Sequence, residues 1–224
     1  MLIHLSYPLS TSSPLYYGLP NLKLSSLKSQ DSGDSANLSA AFFCLHSGTH
    51  IDAPYHFCPN GNTVAQMLRK ENRFEKTYCI NLIVEKGSCI TIDDINDAAA
   101  KVSDANALLI HTGFCHVRET NPAHYLTDYP WIHPDVPEFL KEKIPDLNLF
   151  GIDTISISRP DHRQMGHSCH KSFLCGKKSV LLLEDLDLRE FGFFYKKFDL
   201  LIYPWIIADL DGVPVTAFAE LPDT

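Results

Sequence analysis

Histidines and a carboxylate cluster in one short stretch of this 224-residue chain, between residues 46 and 56. The members of the cluster are His46, His50, Asp52 and His56. Imidazole nitrogens and carboxylate oxygens are ligands of zinc and similar divalent cations. A cation held by such ligands beside a spare histidine is suited to activating water. The stretch therefore indicates a metal-dependent hydrolase.

The spacing of these groups limits how the chain can present them. All four occupy even-numbered positions, so an extended strand would place them on one face. Gly48 and Pro54 disfavour a helix. A straight strand separates His46 from Asp52 by roughly 20 Å, too far for one ion, whereas His50 and Asp52 lie roughly 6–7 Å apart. We therefore expect either a bend at Gly48 or two metal ions that share the ligands.

Composition excludes several classes of function. The net charge is −8 and the basic residues are scattered, so we expect no nucleic-acid partner. The chain has no apolar run of transmembrane length and no signal peptide, so we expect a cytoplasmic protein without membrane contact. Its seven cysteines include no Cys-x-x-Cys pair and predict reduced, mostly buried thiols. The alternative is that one cysteine is a catalytic thiol, and Cys169 is the candidate because it lies between His167 and His170.

Aliphatic segments alternate with amphipathic segments, which predicts an α/β fold in a single domain spanning residues 1–224. The predicted strands cover 2–5, 40–45, 78–84, 107–112, 148–153, 180–184, 198–203 and 213–218, and the predicted helices cover 64–73, 92–102, 134–140 and 168–175. The apolar run at 180–184 implies burial on both faces of that strand. Glu184 ends this run, so either it is paired with a cation or the strand reaches the surface there.

The motif His-x-Gly-Thr-His-x-Asp-Ala-Pro-x-His-Phe at residues 46–57 resembles the signature of the cyclase family, which includes bacterial-type kynurenine formamidases and isatin hydrolases. Other segments resemble this family in the same order along the chain, at residues 5–10, 109–114, 150–156 and 208–215. The resemblance implies a swivelling β/β/α sandwich, usually assembled as a homodimer. It also implies one or two divalent metal ions, with zinc favoured and manganese as the alternative.

The same resemblance assigns roles residue by residue. The implied metal ligands are His46, His50, Asp52, His170 and Glu184. His56 matches the family's catalytic acid/base. Three features depart from the family pattern: a longer stretch between the last two ligands with Lys177-Lys178 as the inserted turn, His111 in place of a basic residue, and Ser-Arg-Pro-Asp at 158–161 in place of a usual Asp. The last two positions bear on the identity of the substrate.

These roles imply an arylformamidase, in which metal-activated water attacks an amide carbonyl and His56 carries a proton to the leaving nitrogen. The substrate would be a small aromatic amide such as N-formylkynurenine. Phe57 and Trp131 are the predicted substrate-binding residues, with Phe114 and Tyr16 as further candidates. One alternative is ring opening of a cyclic amide or lactone, as in isatin hydrolases. Another is a non-catalytic, metal-stabilised protein, although structural zinc sites are usually closed and rich in cysteine.

Overall fold

A computed structural model describes residues 1–69 and 72–222. Its strands are Leu2–His4 (β1), Lys23–Lys28 (β2), Leu38–Phe42 (β3), His50–Asp52 (β4), Arg73–Asn81 (β5), Cys89–Ile90 (β6), Ala107–His111 (β7), Trp131–Ile132 (β8), Leu149–Ile152 (β9), Leu181–Glu184 (β10), Phe198–Pro204 (β11) and Gly212–Glu220 (β12). Its α-helices are Val64–Leu68 (α1), Ile92–Lys101 (α2), Cys115–Thr120 (α3), Pro122–Tyr125 (α4), Val136–Lys143 (α5) and Arg163–Leu174 (α6). None of these helices is long and apolar enough to cross a membrane.

The main sheet closes on itself. Its strand order is β1-β12-β11-β5-β7-β9-β10-β4, and β4 pairs again with β12, so β1 alone stands outside the ring. Strands β5, β7, β9 and β10 are parallel, and therefore their carboxyl ends meet at one edge. The remaining pairs of the ring are antiparallel. This mixed sheet confirms the predicted α/β class and adds a closure that periodicity alone did not predict.

Apolar side chains fill both faces of the ring. Leu109 and Leu183 belong to the cluster that the ring encloses. Their neighbours in sequence, Leu108 and Leu182, belong to a second cluster under helices α2, α5 and α6. Successive residues of a strand point to opposite faces, so strands buried on both sides must be apolar throughout. The aliphatic run at 180–184 is explained by this double burial.

Several predicted boundaries move. The helix predicted at 64–73 begins with a capping box at Thr63 and ends at Leu68, while Lys70 and Glu71 lie outside the described residues. Pairing with β11 draws Arg73 into β5, so that strand begins earlier than predicted. The strand predicted at 40–45 does not lead into the histidine stretch. It is β3, which pairs only with β2 in an exposed hairpin.

Two cysteines form a disulfide, although the sequence predicted reduced thiols. Cys58 and Cys175 are bonded, with their Cα atoms 5.9 Å apart and a separation of 117 positions in sequence. The prediction that the thiols are all reduced is wrong for this pair. The free cysteines are Cys44, Cys79, Cys89, Cys115 and Cys169. The bond joins the segment that follows His56 to the carboxyl end of α6, and no local sequence pattern links these two places.

Candidate metal centre

The histidine stretch turns twice and is a strand only in its middle. Gly48 has a φ of +65°, which suits glycine because it carries no Cβ. The strand β4 follows, and a short 3₁₀ helix, Pro54–His56, turns the chain again. The expected bend at Gly48 is therefore confirmed. It brings His46 back to Asp52, with 2.7 Å between His46 Nδ1 and Asp52 Oδ1.

A buried group of imidazoles and carboxylates lies where β4, β10 and α6 meet. His50 stands opposite Glu184 in the antiparallel register of β4 and β10. Its Nε2 lies 3.5 Å from Asp52 Oδ1 and 3.5 Å from Glu184 Oε2. The helix α6 supplies His170, whose Nε2 lies 3.6 Å from Glu184 Oε1. These separations exceed good hydrogen-bond distances.

The outer nitrogens of the two buried histidines are already satisfied. His50 Nδ1–H donates to the Gly48 carbonyl at 2.8 Å. His170 Nδ1–H donates to the Gly166 carbonyl at 2.9 Å. Each Nε2 lone pair then faces buried carboxylate oxygens, which is unfavourable unless a proton or a cation lies between them. Metal-binding histidines show this arrangement, with the outer nitrogen donating to an oriented acceptor. The donor set therefore fits a divalent cation.

Glu184 is held in place by the chain around it. It is 3% exposed, so the alternative in which the strand reaches the surface there is wrong. Its Oε1 accepts from Ser156 Oγ at 3.0 Å and from the Ile157 amide at 2.7 Å. The next residue, Asp185, is buried in a bidentate salt bridge, in which Arg118 donates two hydrogen bonds of 2.8 Å each to its carboxylate. These contacts fix the carboxylate that faces the histidines.

Asp211 joins two histidines at the mouth of the site. Its Oδ2 lies 2.9 Å from His46 Nε2 and 2.9 Å from His56 Nδ1. Burial opposes a charge on His46, but Asp52 and Asp211 outweigh it and raise the pKa of His46 to about 11. Burial likewise opposes ionisation of Asp52, yet His46 holds the pKa of Asp52 below its usual range. Hydrogen bonds from His46 and His56 lower the pKa of Asp211. In the metal-free protein this cluster is thus strongly ionic.

Asp211 was not among the residues predicted from the sequence to form the site. The residue lies directly before Gly212, which pairs with Asp52 in the register of β12 and β4. A Cβ at Gly212 would overlap the ring of His46. The pair Asp-Gly therefore combines a carboxylate with the space that a neighbouring ring needs. It lies in the segment 208–215 that resembles the family, and this was the available signal.

Two overlapping sets of three residues offer ligand atoms within 4.8 Å of one another. One set is His50, Asp52 and Glu184, and the other is His46, Asp52 and His56. Asp52 is common to both, so the geometry accommodates either one ion or two. Both ring nitrogens of His46 already contact carboxylates, and binding an ion there would replace one of these contacts.

A cavity of about 330 Å³ opens above this group. Its lining residues are Tyr16, Tyr17, Gly18, Leu19, His46, His50, Asp52, His56, Phe57, Ile155, Ser156, Ser158, His167, His170 and Glu184. Phe57 stacks on His170 with 4.8 Å between ring centroids. Trp131 and Phe114 are not brought to the cavity: Trp131 stacks on His162 at 4.6 Å, and Phe114 is buried against Tyr125. The buried Cys169 does not line it either.

Known proteins resemble this chain in sequence and in fold. The kynurenine formamidase of Bacillus anthracis is 25% identical over 222 residues, covering 96% of this chain and 95% of that protein. Isatin hydrolase A from Labrenzia aggregata, bound to benzyl benzoate, has a similar fold with a TM-score of 0.80 and 17% identity, over 100% of this chain and 94% of that one. A structure described as a potential metal-dependent hydrolase with cyclase activity gives a TM-score of 0.74 at 20% identity, over 100% and 99% of the chains. The model of the Cyclase family matches residues 3–159, and this chain belongs to that family.

Proposed function

We propose that this protein is a metal-dependent amide hydrolase that removes the formyl group from an N-formylated aromatic amine. One observation carries the proposal: the Nε2 atoms of His50 and His170 face two buried carboxylates on the floor of an open cavity. His56 stands beside them with only 27% of its side chain exposed. The kynurenine formamidase similarity over nearly the whole chain supports the choice of substrate class.

The ligands in this proposal are His50, Asp52, His170 and Glu184, with His46 completing the set. We favour zinc, because histidine and carboxylate are its usual ligands at catalytic sites, and manganese is the alternative. His50, Asp52 and Glu184 would hold one ion, and any second ion would be shared by His46 and Asp52, which leaves His56 outside the ligands. When bound, such a cation lowers the pKa of water and polarises a carbonyl oxygen.

His56 serves as the acid/base. Its Nδ1–H donates to Asp211 Oδ2, so Nε2 is left free to exchange a proton. His56 takes a proton from the attacking water and delivers it to the amine nitrogen as the C–N bond breaks, releasing formate and the amine. Asp211 is a positioning residue because it holds the His56 ring and its tautomer, as a carboxylate does for other catalytic histidines.

The aromatic part of the substrate lies against Phe57 and Tyr16 in this proposal. Both line the cavity, and its volume of about 330 Å³ is within the usual range for small-molecule sites. Phe57 is anchored by its stacking on His170 and its edge contact with His56 at 4.6 Å. A planar substrate ring would therefore be held next to the acid/base.

The test is hydrolysis of N-formyl-L-kynurenine by the purified protein loaded with zinc or manganese, with a chelated sample as control. His56→Ala should reduce kcat by about 10²–10⁴-fold while the metal content is unchanged. His162→Ala is the matched control, because His162 stacks on Trp131 away from the cavity. Turnover that survives chelation would reject the proposal, and loss of metal from His56→Ala would make His56 a ligand.

A second candidate is ring opening of a cyclic amide or lactone. The similarity of the fold to isatin hydrolase A favours it, since the same ligands and the same acid/base would serve. Isatin assayed beside N-formyl-L-kynurenine separates the two reactions. A metal-loaded protein that hydrolyses neither substrate, but unfolds on chelation, would instead support a metal that only stabilises the fold.

We also propose that residues 1–224 form one domain of the swivelling β/β/α type and that two copies associate. The exposed hairpin supports the homodimer, since Leu24 is 63% exposed and Phe42 is 62% exposed. Sedimentation at several concentrations tests it. The cytoplasmic location stays a prediction, and the thiol state of Cys58 and Cys175 in cells bears on it because stable disulfides are rare there.

A further inference from the structure

A second group of metal-ligating side chains lies outside the cavity, where β7 gives way to α3. His111 ends β7, and Cys115 and His116 open α3. One ligand atom from each of these three residues lies within 4.8 Å of the others. None of the three lines the cavity of the candidate metal centre. The group is therefore separate from the proposed reaction.

The ring of His111 is oriented as a ligand would need to be. Asn81 stands opposite His111 in the parallel register of β5 and β7. His111 Nδ1–H donates to Asn81 Oδ1 at 2.8 Å, which leaves the Nε2 lone pair free. Phe194 covers the ring with 5.1 Å between centroids, and His111 is only 8% exposed. An outer hydrogen bond of this kind orients metal-binding histidines and raises their affinity.

The turn between the ligands is fixed by a buried carboxylate. Asp153 accepts from Thr112 Oγ1 at 2.6 Å, from the Thr112 amide at 3.0 Å and from the Gly113 amide at 3.0 Å. It is fully buried, and its second oxygen lies 3.5 Å from the Cys115 amide. Asp153 thus fixes the turn at Thr112 and Gly113, and its negative charge next to the group favours a cation there.

We propose that His111, Cys115 and His116 form a second metal site that binds zinc. Two imidazoles and a thiolate are typical zinc ligands, whereas the first centre uses imidazole and carboxylate. Cys115 is buried and His116 is exposed, so the group extends from the interior to the surface. Three protein ligands leave the fourth position of a tetrahedral zinc site for water. Binding displaces the thiol proton of Cys115 into solvent.

Cobalt substitution tests the site, because a thiolate bound to Co²⁺ gives a near-ultraviolet charge-transfer band and the first centre has no sulfur ligand. The intact, oxidised protein is titrated with Co²⁺ and, in parallel, its zinc content is measured after dialysis. We expect the band in the wild type and its loss in Cys115→Ala, together with one zinc fewer per chain. Cys89→Ser is the matched control, since Cys89 is a free, half-buried cysteine outside the group.

Two further variants cover a Cys115 substitution that fails to fold. His116→Ala changes an exposed side chain and should lose the band while the circular dichroism spectrum is unchanged. Asn81→Leu removes the outer hydrogen bond and should weaken zinc binding by about 10–100-fold. A wild type without the band at saturating Co²⁺, or a band that persists in Cys115→Ala, would overturn the proposal. Neither result bears on the hydrolase proposal, because the band reports sulfur ligation alone.

Discussion

Removing the disulfide should destabilise the oxidised protein more than any single surface change. The double variant Cys58→Ser, Cys175→Ser deletes a bond that closes a loop across 117 residues of sequence. Such a bond restricts the unfolded chain far more than the folded one. It also fastens the segment carrying His56 to the helix carrying His170, so its loss loosens the two sides of the candidate metal centre.

The size of the effect follows from the loop length. For a loop of 117 residues the chain-entropy relation gives about 5 kcal/mol at 25 °C. Engineered and native disulfides often contribute less, so we expect a loss of about 3–5 kcal/mol. For a chain of this length each kcal/mol corresponds to roughly 2–4 °C in Tm. The melting temperature should therefore fall by roughly 6–20 °C.

The assay is guanidinium unfolding of the metal-free protein under oxidising and reducing conditions. The wild type should lose stability on addition of a reductant, whereas the double variant should unfold at the same midpoint in both conditions. Cys89→Ser is the control for thiol replacement, because Cys89 is free in the structure. Alkylation of the denatured, unreduced chain should modify the five free cysteines only.

The wild-type unfolding midpoint must respond to reductant when alkylation shows that the bond is present, and an insensitive midpoint would contradict the expected stabilisation. That outcome would mean that loop closure does not limit the unfolded chain. Alkylation of all seven cysteines in the unreduced chain would instead show that the bond does not form in solution.

Three other perturbations address the candidate metal centre. Asp211→Asn should lower kcat by about 10-fold or more at unchanged metal content, because His56 loses the carboxylate that orients it, and loss of metal measured by elemental analysis would contradict this role. Gly212→Ala should cost about 1–3 kcal/mol in urea unfolding because the new methyl group overlaps the His46 ring, and an unchanged midpoint would contradict that contact. In chelated protein the raised pKa of His46 stabilises the fold fully below pH 6.5, and this stabilisation is lost as the pH rises toward about 11. The lowered pKa of Asp52 stabilises the fold above about pH 3.8, and this stabilisation is lost on acidification below that value. The free energy of unfolding should therefore be largest between about pH 3.8 and pH 6.5. His46→Asn should reduce its fall at alkaline pH.

Residue types and local spacing predicted the part of the candidate metal centre that residues 46–56 contribute. The cluster between residues 46 and 56 was visible from its ligand chemistry, and the bend was placed at Gly48 because a straight strand cannot deliver His46 to Asp52. The family was predicted from the motif, and the match over residues 3–159 confirms it. These inferences succeeded because they depend on neighbours in sequence.

Features that depend on distant pairing were beyond such reasoning. The burial of Glu184 is decided by contacts from Ser156 and Ile157. Asp211 reaches His46 across 165 residues of sequence. Residues 40–45 are apolar and therefore predicted a buried strand. In the structure β3 pairs with β2 in an exposed hairpin. In each case the tertiary pairing, and not the local pattern, determines the outcome.

The closure of the ring has a consequence for the newly synthesised chain. β12 leaves the ribosome after the other strands of the described ring, and it pairs with β4, which emerges about 160 residues earlier. Until then the edge of β4 has only β10 as a partner, and Asp211 is absent from the mouth of the site. A growing chain therefore carries the proposed ligands before β12 has paired with β4, so we expect firm metal binding only after residues 212–220 have joined the ring.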